Sequence, residues 1–296
     1  MKRLTTFWTL VVLLLTACGG QPASPAGTAI PVILTSTTFL ADITRNIAGD
    51  RATVESLLPI GADPHAYQPT PQDAAKIAQS SLLIINGAEY EHFLESLLEN
   101  AGGERTILEA SAGVGRREEA GSVDPHLWLD PNNVIRYVIN IRDGLIQFDP
   151  AGEAAYRSNA DAYIRQLGEL NAWILEQVSP IPEKRRLLVT NHEALGYFAA
   201  EYGFTLAGTV VESFSSGASP SAQQMAGLID QIKISGAPAI FLDAADNPAL
   251  AQQIADETGV RVVTDLHLES LTEGPPAATY LDMMRHNVSE IVNALK

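Results

Sequence analysis

The stretch 149–182, DPAGEAAYRSNADAYIRQLGELNAWILEQVSPIP, organises the whole chain. Pro150 can open a helix, because its missing N–H would be unbonded in the first turn anyway. From there Tyr156, Ala160, Tyr163, Leu167, Leu170, Ile174 and Val178 recur at steps of three and four. That spacing draws one apolar stripe along a single helix face, and Pro180 and Pro182 stop it. Roughly thirty residues at about 1.5 Å each make a rod of about 45 Å, the span of a domain. Segment 149–180 therefore reads as a stiff connector between an N-terminal lobe, 31–148, and a C-terminal lobe, 181–296. The alternative is one amphipathic helix lying on a single larger domain.

On both sides of the rod, short β-rich runs alternate with helical patterns. Before it, strands are expected at Pro31 to Thr35, Thr53 to Leu58 and Leu82 to Ile85, with helices at Phe39 to Ala48, Pro71 to Gln79, Glu91 to Asn100 and Pro131 to Phe148. The last helix has Asp130 as N-cap. After the rod, strands are expected at Arg186 to Thr190, Thr205 to Val211, Ala239 to Leu242 and Arg261 to Leu266. Helices follow at Ala194 to Tyr202, Ser221 to Ser235, Ala249 to Thr258 and Ala277 to Leu295, and Gly203 and Gly259 stand as C-cap glycines. The grammar is that of an α/β protein with two similar lobes, mainly parallel sheets, a long rigid joining helix and a cleft between the lobes.

The first residues belong to export rather than to the fold. Lys2 and Arg3 precede an apolar run from Phe7 to Leu15 that is too short to span a bilayer comfortably, and Leu15-Thr16-Ala17-Cys18 resembles a bacterial lipobox. Residues 1–17 read as a signal peptide. Cys18, the chain's single cysteine, then becomes a lipidated N-terminus, and 18–30 becomes a flexible tether rich in Gly, Pro and Ser. An ordinary signal peptide that happens to contain a cysteine is the plainer alternative. The expected place is extracytoplasmic, lipid-anchored to the bacterial cell membrane.

One cysteine also excludes a disulfide framework and any CxxC zinc module, so metal chemistry here must use His, Asp and Glu. A formal charge of −16 argues against a nucleic-acid partner and mildly favours cations. No HExxH and no GxSxG occurs, and the only thiol is committed to the anchor, so the chain is not expected to be an enzyme.

Six histidines are present, and two of them share one idea: Asp63-Pro64-His65 and Asp124-Pro125-His126 each place an imidazole directly after an Asp-Pro pair. Ligands of open α/β sheets lie beyond the carboxyl ends of strands. His65, His126, His192 and Glu269 all fall at such positions. Three neutral imidazoles and one carboxylate suit Zn²⁺ at four-coordinate geometry, whereas a second carboxylate would move preference toward Mn²⁺. If the last strand ran on, Asp265, His267 and Glu269 would alternate onto one face, so Asp265 and His267 remain alternatives to Glu269. Asp124 and Glu193 could orient imidazoles or be solvated, and Trp128 is expected to pack under the site. His92 reads as a helix-surface or cleft-edge residue and His286 as structural.

The strings DPHAYQPTPQD, DPHLWLDPNN, TNHEALGYFAAEYG and SLTEGPPAATYLDMMRHN resemble the metal-binding lipoproteins of zinc and manganese ABC importers, the cluster A-I solute-binding proteins. The similarity covers nearly the whole mature chain, including the long helix that the family uses in place of a flexible hinge. It implies His65 and His126 as N-lobe ligands and His192 as the third, a position that is His in zinc-type members and often Glu in manganese-type members. The family's fourth ligand is usually an aspartate, and that position is Glu269 here. Zinc-type members often carry a histidine-rich acidic loop before the second histidine motif. This chain has only Gly115-Arg116-Arg117-Glu118-Glu119 there, as in manganese-type members. The resemblance implies capture of Zn²⁺, or alternatively Mn²⁺, by a monomer that hands the ion to an ABC transporter permease. A metal-binding surface adhesin or buffer without a transporter is the rival.

Overall fold

A computed structural model describes residues 30–102, 105–119, 121–216 and 219–296. The expected signal peptide 1–17, Cys18 and all of the tether except its last residue lie outside the described residues.

The first lobe runs β1 (Val32–Thr35), α1 (Thr38–Ala48), β2 (Thr53–Ser56), α2 (Pro71–Gln79), β3 (Leu82–Ile85), α3 (Leu94–Ala101), β4 (Thr106–Glu109), a two-strand hairpin β5 (Glu118–Glu119) and β6 (Ser122–Val123), then α4 (Pro131–Phe148). After α5 (Glu153–Val178) come β7 (Leu187–Thr190), α6 (Gly196–Tyr202), β8 (Thr205–Thr209), α7 (Ala222–Ser235), β9 (Ala239–Asp243), α8 (Ala249–Thr258), β10 (Arg261–Leu266) and α9 (Tyr280–Leu295). The sheets are ordered β2-β1-β3-β4 and β10-β9-β7-β8, with every pairing in both parallel. The first sheet therefore reverses its order between β1 and β3, and the second between β7 and β9. The two lobes are alike in being four-stranded, parallel and doubly wound. In each, the crevice beyond the strand ends opens where the order reverses.

Local chemistry sets the element starts. Thr70 and Asp73 form a reciprocal capping box before α2, and Ser221 and Gln224 form another before α7. Asp130 accepts from the Asn132 N–H, with Pro131 in the first turn of α4. Strands such as Leu82–Ile85 and Ala239–Asp243 are almost continuously buried, as parallel strands covered on both faces must be. One satellite core under α2 and α3 contains Ile77, Leu94 and Leu97, and its counterpart under α7 and α8 contains Leu228, Ile232 and Ile254.

All seven expected stripe residues of α5 are buried. The helix starts at Glu153, because Pro150–Gly152 forms a separate 3-10 turn. Its face packs on α1 and α4 of the first lobe and on α6 and α9 of the second. One core runs continuously from Ile33 and Phe39 through Leu167 to Phe241 and Leu266. The rod is therefore bonded to both lobes by apolar contact.

Several boundaries differ from the sequence reading. β4 and the β5–β6 hairpin were not expected: β4 is four residues at a sheet edge, none of them fully buried, with no alternation to read. The helix expected from Glu91 begins at Leu94, since the Glu91 side chain is turned inward to bond backbone. α9 begins at Tyr280 instead of Ala277. Pro275 and Pro276 stand just upstream, and Thr279 supplies the cap by accepting from the Asp282 N–H. β10 ends at Leu266, after its register shifts between Val263 and Leu266. The strand alternation that would have placed Asp265, His267 and Glu269 on one face is therefore broken.

Candidate metal centre

The two Asp-Pro-His segments fold alike. The His65 N–H donates to Asp63 Oδ1 at 2.8 Å, and the His126 N–H donates to Asp124 Oδ1 at 3.0 Å. In both, the aspartate bonds the backbone two residues on, an Asx turn that aims the imidazole inward. Asp124 goes further, since its Oδ1 also lies 2.9 Å from His126 Nδ1. That contact fixes the ring and leaves Nε2 to face the cleft.

The other two donors come from the second lobe. His192 lies two residues beyond β7, where Thr190 Oγ1 donates to the His192 carbonyl at 2.6 Å. Glu269 lies three residues beyond β10 on a loop held from two sides. The Leu268 and Glu269 N–H groups donate to Asp243 Oδ2, and Trp128 Nε1 donates to the Leu268 carbonyl at 2.8 Å. Trp128 is fully buried, stacks on Phe39 at 4.5 Å and lies under His126, as the sequence reading expected.

The four side chains converge. His65, His126 and His192 each place Nε2 at 3.3, 3.2 and 3.2 Å from the same atom, Glu269 Oε1. One candidate donor from each of the four lies within 4.8 Å of the others. Donors about 2.0–2.2 Å from a tetrahedral ion stand roughly 3.3–3.6 Å apart, so the spacing matches a four-coordinate centre. Glu269 Oε2 accepts a hydrogen bond from Tyr90 OH, which reserves the second carboxylate oxygen and leaves one for the cluster. Asp265 and His267 do not reach this group; Asp265 is exposed, and both associate with His286 instead. His92 is exposed, as expected.

The electrostatics follow from that packing. Burial pushes the Glu269 carboxyl up, but the charge of His65 and the hydrogen bonds of the three imidazoles outweigh it and hold the group well below the usual range. Burial pulls His126 down, whereas Asp124 and Glu269 on either side push it further up, to about 9. Asp243 and Glu91 are each raised to about 7, by burial first. Three imidazole nitrogens facing one carboxylate oxygen need a shared proton or a shared cation.

Four supporting residues escaped the sequence reading. Tyr90 reaches Glu269 because Gly87, Ala88 and Glu89 all adopt positive φ, a reversal that Ala and Glu rarely make. Asp243 and Asp246 close β9, and Asp246 accepts from the Asn191 side chain at 2.7 Å. Their position at a strand end beside the switch point was the available signal. Gly196, at the start of α6, is required by proximity. A Cβ there would come within 2.5 Å of Asp124 Oδ2.

Comparison with known proteins agrees with this geometry. The profile described as "Zinc-uptake complex component A periplasmic" matches residues 33–294. The chain belongs to this family. Among its relatives is the manganese-binding lipoprotein MntA of Halalkalibacterium halodurans, 34% identical over 302 residues that cover 100% of this chain and 99% of that one. The iron-binding protein YfeA of Yersinia pestis is 34% identical over 265 residues, covering 88% of this chain and 84% of that one. In three dimensions the family fold is matched by the periplasmic zinc-binding protein TroA of Treponema pallidum, with a TM-score of 0.83, 28% identity and coverage of 90% and 99%. The manganese-bound periplasmic metal-binding protein of Candidatus Liberibacter asiaticus gives a TM-score of 0.80 at 29% identity, covering 90% of this chain and 100% of that one. Family members of this kind are solute-binding proteins and not enzymes.

Proposed function

We propose that this protein is the metal-capturing subunit of a bacterial ABC importer, that its cargo is Zn²⁺, and that His65, His126, His192 and Glu269 are the ligands. The observation that carries the reading is the convergence of three Nε2 atoms on Glu269 Oε1 while Tyr90 holds Oε2. Three imidazoles and one monodentate carboxylate make four donors, the number and type that Zn²⁺ takes. Lipid on Cys18 would hold the protein outside the cytoplasmic membrane, where a monomer delivers the ion to a permease. Relatives named as metal ABC transporter substrate-binding lipoproteins support both the anchor and the partner. Among the described residues no helix is long and apolar enough to cross a membrane.

Mn²⁺ is the second reading. It is favoured by the full-length similarity to a relative named for manganese and by the glutamate, which becomes bidentate if Tyr90 lets Oε2 go. Competitive titration of the metal-stripped mature protein with Zn²⁺ and Mn²⁺, with elemental analysis of the tightly held ion, separates the two. Tight one-to-one zinc with weak manganese is expected at this centre. A manganese preference overturns the zinc reading, and tight binding of neither overturns the ligand set. Labelling with radioactive palmitate tests the anchor, and an unlabelled protein beside a labelled control lipoprotein would refute it.

A further inference from the structure

A second cluster of metal-binding side chains lies outside the centre. Asp265 on β10, His267 just past its end and His286 on α9 bring donor atoms within 4.8 Å of one another. His267 Nε2 is 3.8 Å from Asp265 Oδ1, and His286 Nε2 is 3.4 Å from Asp265 Oδ2. The two imidazole rings are 5.4 Å apart and inclined at 43°.

Two features distinguish this group from a chance meeting of surface residues. First, His267 Nε2 is buried and, among the described residues, has no hydrogen-bond partner. A buried polar atom left unpaired is unfavourable and calls for a reason. Second, His267 is fixed at its backbone. Its N–H donates to Asn287 Oδ1 at 2.8 Å, and Asn287 Nδ2 donates back to its carbonyl at 2.7 Å. The neighbour of His286 on α9 thus clamps the segment that carries His267, and both imidazoles are held against one another before any ion arrives. Asp265 keeps 64% of its side chain exposed, which gives an ion a path from solvent.

We propose that Asp265, His267 and His286 form a second, weaker binding site for a borderline divalent cation such as Zn²⁺ or Cu²⁺. Two imidazoles and a carboxylate match the preferences of those ions, whereas Mn²⁺, Mg²⁺ and Ca²⁺ favour oxygen-rich sets. His286 Nε2 lies 2.6 Å from the Asp265 carbonyl oxygen. If the ion is taken at that nitrogen, the neutral ring carries its proton at Nδ1 instead, and the carbonyl, its hydrogen bond given up, is left beside the ion. Three protein side chains leave coordination positions for water, so the site is weaker than the buried centre. An ion here ties the exit of β10 to α9, two residues before Glu269.

The test is calorimetric titration of the metal-stripped mature protein with ZnCl₂. Two steps and two ions per chain are expected. Asp265→Asn alters an exposed side chain and His286→Gln keeps an uncharged polar group, and each is expected to weaken the second step by about tenfold or more while leaving the first intact. His65→Ala is expected to damage the first step and spare the second, so failure at one site is distinguishable from failure at the other. A single step that persists to millimolar zinc overturns the proposal. So does a second step unchanged in Asp265→Asn, even if His286→Gln fails to fold.

Discussion

The two lobes share one doubly wound, parallel architecture, yet they hold their donors by different means. In the first lobe, each histidine follows an Asp-Pro pair whose aspartate bonds the histidine backbone, and Asp124 also holds the imidazole of His126. In the second, His192 Nδ1 is buried with no hydrogen-bond partner among the described residues, and Glu269 rides on a loop pinned through its backbone by Asp243 and Trp128. The first lobe presents one imidazole held at its ring, His126, and one set through its backbone, His65. The second presents one ring free of a hydrogen bond at Nδ1 and one carboxylate that all three imidazoles face. Similar lobes thus support a fixed half-site and an adjustable one, and release of cargo is expected to begin on the adjustable side.

The largest effect should come from that shared carboxylate. Glu269→Ala removes the only negative charge among the four and leaves three imidazoles facing one another, so zinc affinity is expected to fall about a thousandfold or more. Direct titration checks this, and a loss under tenfold would mean the second lobe contributes little. The next test sets the halves against each other. Asp124→Asn should cost about 10- to 100-fold in affinity by loosening His126. Asp246→Asn, whose target carboxylate bonds Asn191, should cost only a few-fold by the same reasoning. Equal losses would abolish the distinction between a fixed and an adjustable half.

Proton competition sharpens the point further. His126 is raised to about 9 in the metal-free protein, and the ring must lose that proton to bind an ion. Apparent affinity should therefore rise with pH until about 9, by up to about tenfold per unit for this one proton. In Asp124→Asn the end of the rise should move down toward the ordinary histidine value of about 6.5. Stability has the opposite sign. A raised folded pKa stabilises the metal-free protein fully below about 6.5, and that contribution is lost as pH rises through about 9. The metal-free melting temperature should fall over that window, whereas a flat profile would mean Asp124 does not hold a protonated His126. The smallest effect is expected from Tyr90→Phe, which frees Glu269 Oε2. Zinc affinity should change only a few-fold, in keeping with one lost hydrogen bond. The ratio of manganese to zinc binding should rise, and an unchanged ratio would show that Tyr90 does not set denticity.

Much of this was readable in the chain itself, because it depends on local rules. The long helix followed from its stripe of seven residues, and the positions of the four converging side chains followed from strand ends. What stayed hidden depends on contacts between distant segments. Tyr90 meets Glu269 only because three successive residues turn left-handed. Of Asp265, His267 and Glu269, it is Glu269 that meets the three imidazoles, beyond a register shift within β10 that no periodicity announces. Asp243 and Asp246 lay at a strand end in plain sight, but aspartates there are common in loops, and only the fold brings them to the Glu269 turn and to Asn191. His286 read as structural, and in the fold its Nε2 lies 2.6 Å from the Asp265 carbonyl oxygen.

The unbroken core beneath α5 has a consequence for how a transporter can tell a loaded protein from an empty one. Swinging the lobes apart would expose apolar surface at about 25 cal/mol per Å², and Tyr163, Leu167 and Leu170 sit in the middle of that surface. Cargo status is then written in the loops at the mouth of the cleft and not in the outline of the molecule. Small-angle scattering should give the same radius of gyration with and without the ion, while hydrogen exchange in the segments around His192 and Glu269 should slow when the ion is bound.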